Sequence, residues 1–404
     1  MRKLWIVTEL FYPDETSTSY ILSNIANALV DKYEVNVISS SNLYQKNKEL
    51  TNDSFLLDER INIIKTSNKE FDKNNLLQRT FRIISLTIDL SLVLWAKVKK
   101  DDKVFIVTNP APLLIVLSIM KKIRNFEFCI LVHDVFPENT IPARIIKTKS
   151  SLIYRLMKPI FNWAYSSADT LVVLGRDMKE IFINKLSHYK KIPNIEIIEN
   201  WGDIITIKPL LENTDRLNKL HLRNKVVIQY AGNIGRTQGL QEFLVILRGL
   251  NNKNIHFDLW GDGAMKNELI KFVSENNMSE RISFNGLYSR SEQRDILNST
   301  DISLITLADG MYGLGVPSKA YNILASGKPI LFIGHLNSEI ALMIREENVG
   351  FCFEPNDTLS IAKFLNDISL TDLDNLKAMG TKARKLAENK YSEEIILNKF
   401  MSKI

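Results

Sequence analysis

Short runs rich in Val and Ile alternate with longer segments of helical period from one end of the chain to the other. This is the sequence form of βαβ units, in which helices cover parallel sheets. In the first half the strand segments are 4–8, 35–39, 61–65, 104–108, 128–133, 170–174 and 195–199. The rhythm then restarts with 226–231, 255–260, 282–284, 302–305, 329–332 and 350–353. Between the two series lies a polar, charge-rich stretch, 208–225, with no strand pattern. A chain of 404 residues also exceeds the roughly 250–300 at which single cores stop growing. The pattern therefore predicts an α/β protein of two Rossmann-like, doubly wound domains, residues 1–205 and 206–390. A closing helical segment, 391–404, is expected to pack back on the first domain. Two such domains face each other across a central cleft lined by the carboxyl ends of their strands, where ligands of open α/β sheets bind.

Composition narrows the function classes. Hydrophobic residues at 45% and charged residues at 24% are the ordinary globular mixture. The two cysteines, Cys129 and Cys352, lie far apart in apolar contexts, which fits free thiols in a reducing compartment and no zinc site. The opening MRKLWIVTELFYP reads as a first strand rather than a secretory signal. The longest uncharged stretch, 104–120, is interrupted by Pro110 and Pro112 and falls short of the ~20 apolar residues a spanning helix needs. Residues 76–160 carry fourteen Lys/Arg against six Asp/Glu, an excess of +8, although the whole chain carries only +6. Within that region 81–95 is apolar almost all round, as a buried helix would be. Arg144, Lys147, Lys149, Arg155 and Lys158 are interleaved with Ile145, Ile146, Leu152 and Tyr154, as on a surface helix resting on anionic lipid. No nucleic-acid-binding module is recognisable, so nucleic acid is not an expected partner.

Two loops carry the chemistry. After the strand at 226–231 the chain reads Gly232-Asn233-Ile234-Gly235-Arg236-Thr237-Gln238-Gly239 before a helix near Leu240. Its glycines and helix start suit a phosphate, with Arg236 adding a fork of donors, although a plain strand-to-helix turn would read the same way. The second is Gly315-Val316-Pro317-Ser318-Lys319-Ala320-Tyr321-Asn322, which starts a helix at Pro317 that Gly327 stops. A lysine in a first turn opposes the helix dipole unless an anion occupies the site, the bland alternative being an exposed lysine. No cluster of carboxylates or histidines at metal-ligand spacing accompanies these loops, so neither a metal nor another cofactor is expected.

Paired, YAGNIGRTQGL and GVPSKAYNILASGKPI resemble the retaining, GT-B-fold glycosyltransferases of family four, closest to the bacterial capsule and O-antigen branch that includes N-acetyl-L-fucosamine transferases. HDVFPE at 133–138 and IENWGD at 198–203 extend the resemblance over nearly the whole chain. It implies that Gly232, Asn233 and Arg236 lie beside a donor diphosphate, that Pro317, Ser318 and Lys319 hold its oxygens, and that Gly261, Asp262 and Gly263 form a loop near the nucleotide. Thr16 and Ser17 stand where many members bring a glycine pair to the donor, and can equally be a helix cap. His133 and Asp134 end a strand of the first domain and face the cleft, His133 as a contact for donor or acceptor, while Asp134 and Glu138 are placed to orient or deprotonate an acceptor hydroxyl. Many members place two glutamates eight residues apart where this chain has Leu314 and Asn322, so roles for those glutamates do not carry over; Asn322 can still hydrogen-bond there.

The expected activity is transfer of a sugar from a nucleotide-diphosphate donor, such as UDP-L-FucNAc, to a polyprenyl-diphosphate-linked saccharide in surface-polysaccharide assembly. Arg236 and Lys319 would be the diphosphate clamp. The expected location is the cytoplasm, peripherally on the inner face of the cell membrane. The missing glutamates keep a non-catalytic partner subunit in view, and the fold keeps a sugar-nucleotide epimerase in view.

Overall fold

A computed structural model describes residues 1–14, 16–40, 56–66, 76–210, 222 and 224–404, with the side chains of 76–80 excepted. Most of the stretch read as a domain boundary, together with Glu15 and the Arg79 side chain, lies outside the described residues. Among the described residues thirteen strands form two parallel sheets, a seven-stranded one ordered β3-β2-β1-β4-β5-β6-β7 and a six-stranded one ordered β10-β9-β8-β11-β12-β13. Each order reverses beside its first strand, which is the doubly wound pattern. The chain is thus two Rossmann-like α/β domains.

The first sheet comprises β1 (Arg2–Val7), β2 (Tyr33–Ser40), β3 (Asn62–Thr66), β4 (Lys103–Val107), β5 (Glu127–Val132), β6 (Thr170–Val173) and β7 (Asn194–Ile197). Its central strands are buried on both faces, which explains their continuous rather than alternating hydrophobicity. Because βαβ crossovers are right-handed, helices on connections running in opposite directions along the sheet cover opposite faces. α1 (Ser17–Leu29) covers one; α2 (Leu76–Lys97), α3 (Pro112–Arg124), α4 (Leu152–Ser166) and α5 (Arg176–Leu186) cover the other.

Two readings of this region change. The segment 81–95 is not buried all round, because α2 turns Leu86, Leu90 and Leu94 inward and leaves Phe81, Ile84, Ile88 and Leu92 on solvent. The basic segment is helical only from Leu152, and Ile146 and Tyr154 point into the protein rather than outward.

The second sheet comprises β8 (Val226–Ala231), β9 (Ile255–Trp260), β10 (Ile282–Phe284), β11 (Ile302–Thr306), β12 (Ile330–Ile333) and β13 (Gly350–Phe353). Its helices are α6 (Leu240–Arg248), α7 (Lys266–Glu275), α8 (Gln293–Asn298), α9 (Lys319–Ala325), α10 (Glu339–Glu347) and α11 (Thr358–Asp367). The long α12 (Leu373–Lys390) packs on α9, close enough that a methyl group on Gly380 would lie 2.1 Å from the Gly327 carbonyl oxygen.

The chain passes between domains twice, and the passages touch. Gly202 pairs in parallel with Ser392, and its N–H donates to Tyr391 O at 2.9 Å. Arg384 on α12 donates to Ile204 O, Ile207 O and Ala325 O at 2.7–2.8 Å, pinning the outgoing segment. The last helix, α13 (Glu393–Lys403), is capped by Ser392 and returns to the first domain beside α1. There Tyr33 Oη donates to Ile404 O at 2.6 Å, and the buried Phe400 ring meets Phe105 edge-on at 6.5 Å. Removing that ring leaves a cavity in the first domain, so Phe400→Ala is expected to cost about 3–5 kcal/mol. Equilibrium denaturant unfolding checks this.

Candidate active site in the interdomain cleft

The second domain's wall is built on β8. Tyr230, buried near the strand's end, donates from its hydroxyl to Asn233 O at 2.6 Å and fixes the turn that follows. The turn is zipped to the loop after β9: Gly232 N–H donates to Trp260 O at 3.0 Å and Ile234 N–H to Asp262 O at 2.8 Å. A methyl group on Gly261 would lie 2.0 Å from Gly232 O, and one on Gly263 would lie 2.4 Å from Ile234 O. These two glycines serve loop-to-loop contact. Gly261, Asp262 and Gly263, read as a loop near the nucleotide, stand behind the 232–234 turn, and none of the three lines the cleft itself.

Lys319 is the first residue of α9, two positions later than the expected helix start, with Ser318 as N-cap. α9 has only seven residues, so burial rather than the helix dipole decides the lysine's state. Its ammonium lies 3.6 Å from the centre of the Tyr230 ring and directly beneath Gly232, where a methyl group would approach Nζ to 2.7 Å. It makes no ion pair or hydrogen bond to a described residue. Burial lowers its pKa to about 7. Burial disfavours the charged form of a lysine that has no counter-charge beside it.

The first domain's wall is the turn after β5. Thr108 Oγ1 accepts from the backbone N–H groups of His133 and Asp134 at 3.2 and 3.1 Å and bends the chain toward the cleft. His133 Nε2 is buried without a partner among the described residues, and burial lowers the ring's pKa to about 4, so the imidazole is neutral near pH 7. Burial raises the Asp134 pKa, and a hydrogen bond from Asn139 partly offsets the effect. The two walls meet here. Val135 N–H donates to Leu314 O at 3.1 Å, and Gly315 sits so close that a Cβ would lie 3.0 Å from His133 O. Leu314, at one of the family's glutamate positions, is buried in this contact.

Glu138 is a correction. Both its oxygens accept from Lys185 Nζ, at 2.7 and 2.6 Å, in a largely buried pair outside the cleft lining. That leaves Asp134 as the cleft carboxylate of the trio. Thr16 caps α1, its hydroxyl accepting from Ser19 N–H at 3.2 Å, and Thr16 and Ser17 both line the cleft.

Gly232, Asn233, Pro317, Ser318, Lys319, Asn322, His133 and Asp134 also line it. Arg236 does not. It is exposed just outside, in the short 3-10 turn Arg236–Gln238, with no hydrogen bond or ion pair to a described residue. Asn322 Oδ1 accepts from Asp203 N–H at 3.0 Å, so it ties the crossover to the second domain while facing the cleft.

The back of the cleft holds a cluster that sequence reasoning missed. The Arg290 guanidinium stacks on the Tyr20 ring at 3.3 Å and lies 3.7 Å from Asp203. Tyr20 Oη and Trp201 Nε1 both donate to Glu393 Oε2, at 2.6 and 2.9 Å. Arg290 and Arg294 line the cleft from the segment Ser289–Arg294, a polar run just after a strand that could have marked them. At the mouth Arg144 reaches Glu242 of the second domain at 3.8 Å. The cleft encloses about 1560 Å³, against the roughly 300–1,000 Å³ of ordinary ligand pockets, which leaves room for a second substrate.

Comparison with known proteins agrees with this geometry. Residues 213–386 match the family model described as Glycosyl transferases group 1. The chain is 36% identical over 330 residues to the probable glycosyltransferase WbjE of Pseudomonas aeruginosa, covering 81% of this chain and 80% of that one. It is 26% identical to the putative colanic acid biosynthesis glycosyl transferase WcaI of Escherichia coli (strain K12), over 64% of this chain and 62% of the relative. Among solved structures, sucrose-phosphate synthase from Thermosynechococcus elongatus superposes with a TM-score of 0.77 at 13% identity, covering 100% of this chain and 98% of the other. Anabaena HepE in complex with UDP-glucose gives 0.70 at 15% identity, covering 100% and 99%. The fold is that of the GT-B glycosyltransferases, and with a relative of this identity and coverage the chain belongs to the group 1 glycosyltransferases.

Proposed function

We propose that this glycosyltransferase, whose relatives point to cell-surface polysaccharide synthesis, moves a sugar with retention from a UDP-linked N-acetylated hexose or deoxyhexose such as UDP-L-FucNAc to a polyprenyl-diphosphate-linked saccharide. The observation that carries the reading is Lys319, a partly buried lysine without a counter-charge that faces an interdomain cleft. A UDP-type donor is supported by the fold neighbour that holds UDP-glucose. The acceptor hydroxyl would bond to the anomeric carbon as the bond from that carbon to the β-phosphate oxygen breaks, its proton passing to the departing phosphate. Lys319 stabilises the charge growing on that phosphate, more in the transition state than in the bound donor. Arg236, free at the rim, would swing in as the second cation. Asp134 orients the acceptor hydroxyl, and the neutral His133 is a hydrogen-bond partner for a sugar hydroxyl. The reading places the protein at the cytoplasmic face of the membrane, where such an acceptor resides.

Transfer from UDP-L-FucNAc and a panel of other UDP-sugars to a polyprenyl-diphosphate saccharide tests the proposal directly. Lys319→Ala should lower turnover by about 10²–10³ with an unchanged fold, and Arg236→Ala should weaken donor binding as well. Near wild-type turnover by the folded double variant at saturating donor would sink the clamp.

Donor binding should depend on pH through Lys319. The bound diphosphate favours the ammonium, so its pKa rises from about 7 on binding and the complex takes up a proton. Affinity is then flat below pH 7 and falls by about tenfold per unit above it, until the bound-state pKa is reached. Calorimetry with a UDP-sugar, whose diphosphate does not itself titrate there, should show the slope in the wild type and lose it in Lys319→Met.

We also propose that no divalent metal takes part. In support, no group of three or more His, Cys, Asp or Glu among the described residues could hold one, and Lys and Arg are at hand for the diphosphate. Transfer should persist in excess EDTA. Its loss, with recovery on adding magnesium or manganese, would count against this reading.

A further inference from the structure

α2, α3 and α4 lie side by side on one face of the first sheet, and their outer surface is apolar. On α2, Phe81, Ile84, Ile88 and Leu92 follow one another at helical spacing along a single stripe. On α4, Leu152, Leu156 and Ile160 do the same, and Ile119 and Ile123 on α3 fill the space between. Each of these residues leaves 46% or more of its surface on solvent. Scattered exposed leucines need no explanation, but stripes on three adjacent helices form a patch of the kind that marks a binding face.

The chemistry around the patch selects its occupant. α2, α3 and α4 carry a single carboxylate, Asp89, while Lys97, Lys122, Arg155 and Lys158 stand exposed among the apolar side chains. Arg124 lies over the Trp95 ring at 4.3 Å and Lys122 over Trp163 at 4.8 Å, which joins neighbouring helices through partly buried indoles. Aromatic rings and cations flanking an apolar stripe are the make-up of helices lying in a bilayer interface. A second copy of the chain would set the same cations against one another, which disfavours a symmetric dimer through this face. No helix among the described residues is long and apolar enough to cross a membrane, so contact is from the side.

We propose that this α2–α4 face inserts into the surface of an anionic bilayer, its apolar side chains entering the acyl boundary while the surrounding Lys and Arg meet headgroups. The proposal rests on the lipid-linked acceptor proposed above for its setting, but on the exposed stripes for its evidence. It differs from simple adsorption by the basic segment at 144–158, because apolar insertion survives salt and charge adsorption does not. The geometry also directs the acceptor. Helices in βαβ units begin at the carboxyl edge of the sheet, and Arg82 bonded to Glu9 at 2.6 Å holds the start of α2 at that edge. Phe81, in the second turn of α2, and Leu152, in the first turn of α4, therefore lie on the rim side, and the inserted face runs up toward the mouth of the cleft.

The test is flotation of the full chain with vesicles of phosphatidylcholine alone and of phosphatidylcholine mixed with phosphatidylglycerol, at low salt and at roughly 0.5 M salt. The wild type should bind the mixed vesicles and keep a substantial part of that binding at high salt. Ile88→Ser with Leu156→Ser should weaken it by on the order of tenfold or more. Both positions are exposed, and UDP affinity and thermal unfolding of the variant should match the wild type. A fluorophore on Ile88→Cys should shift to the blue on vesicles. No binding by the wild type, binding abolished by salt and indifferent to the double substitution, or a wild-type dimer that the substitution dissolves would each overturn the proposal. Sugar-transfer assays keep the two readings apart: a chain that binds vesicles yet transfers nothing refutes the proposed function alone, and one that transfers to a lipid-linked acceptor without binding vesicles refutes this face alone.

Discussion

The contact between Gly202 and Tyr321 is the constraint on which the architecture turns. A Cβ at Gly202 would lie 2.4 Å from the Tyr321 carbonyl oxygen, so only glycine lets the outgoing crossover settle against α9. Once it is there, Asp203 presents its N–H to Asn322, Trp201 presents its indole to Glu393, and Ser392 aligns beside Gly202. Both passages of the chain are thereby fixed to the helix whose first residue is the cleft lysine. The spacing of the two walls is set at the back of the cleft by backbone contact rather than by surface ion pairs, which are worth little.

Burial brings the Lys319 pKa down to about 7, so near neutral pH the side chain is divided between amine and ammonium. The Tyr230 ring gives Lys319 a cation–π contact, and the hydroxyl of the same ring fixes the loop above it. An anionic ligand beside Lys319 would favour the ammonium form. In the proposed reaction, a cation already aimed at the leaving group needs little reorganisation as that group departs.

The fold was legible because buried parallel strands are continuous apolar runs whose ends are marked by turn residues, and all thirteen segments appear within a few residues of their expected limits. The loops after β8 and before α9 were legible for a local reason, since glycines after a strand and Pro-Ser before a helix act on their own neighbours. What was not legible depended on distant partners. Gly261 and Gly263 look the same in sequence whether a ligand or another loop approaches them. Glu138 is removed from the cleft by Lys185, which sits 47 residues away. Tyr20, Trp201, Arg290 and Glu393 come from four separate parts of the chain, and no spacing rule joins them. The outward stripe of α2 was hidden by its own hydrophobicity, which looks identical whether protein or lipid covers it.

The closeness of Gly232 to Lys319 limits the ways in which this site can vary. Gly232 adopts φ +145°, and its missing side chain is the space the ammonium occupies. Any residue with a Cβ at 232 must both strain the backbone and displace the Lys319 head, so the two positions cannot drift independently. A lineage that gives up the lysine loses part of the reason for the glycine, whereas one that keeps the lysine must keep both. Across related sequences the pair should behave as one inherited character, and a chain carrying one member without the other has rebuilt this part of the cleft by another route.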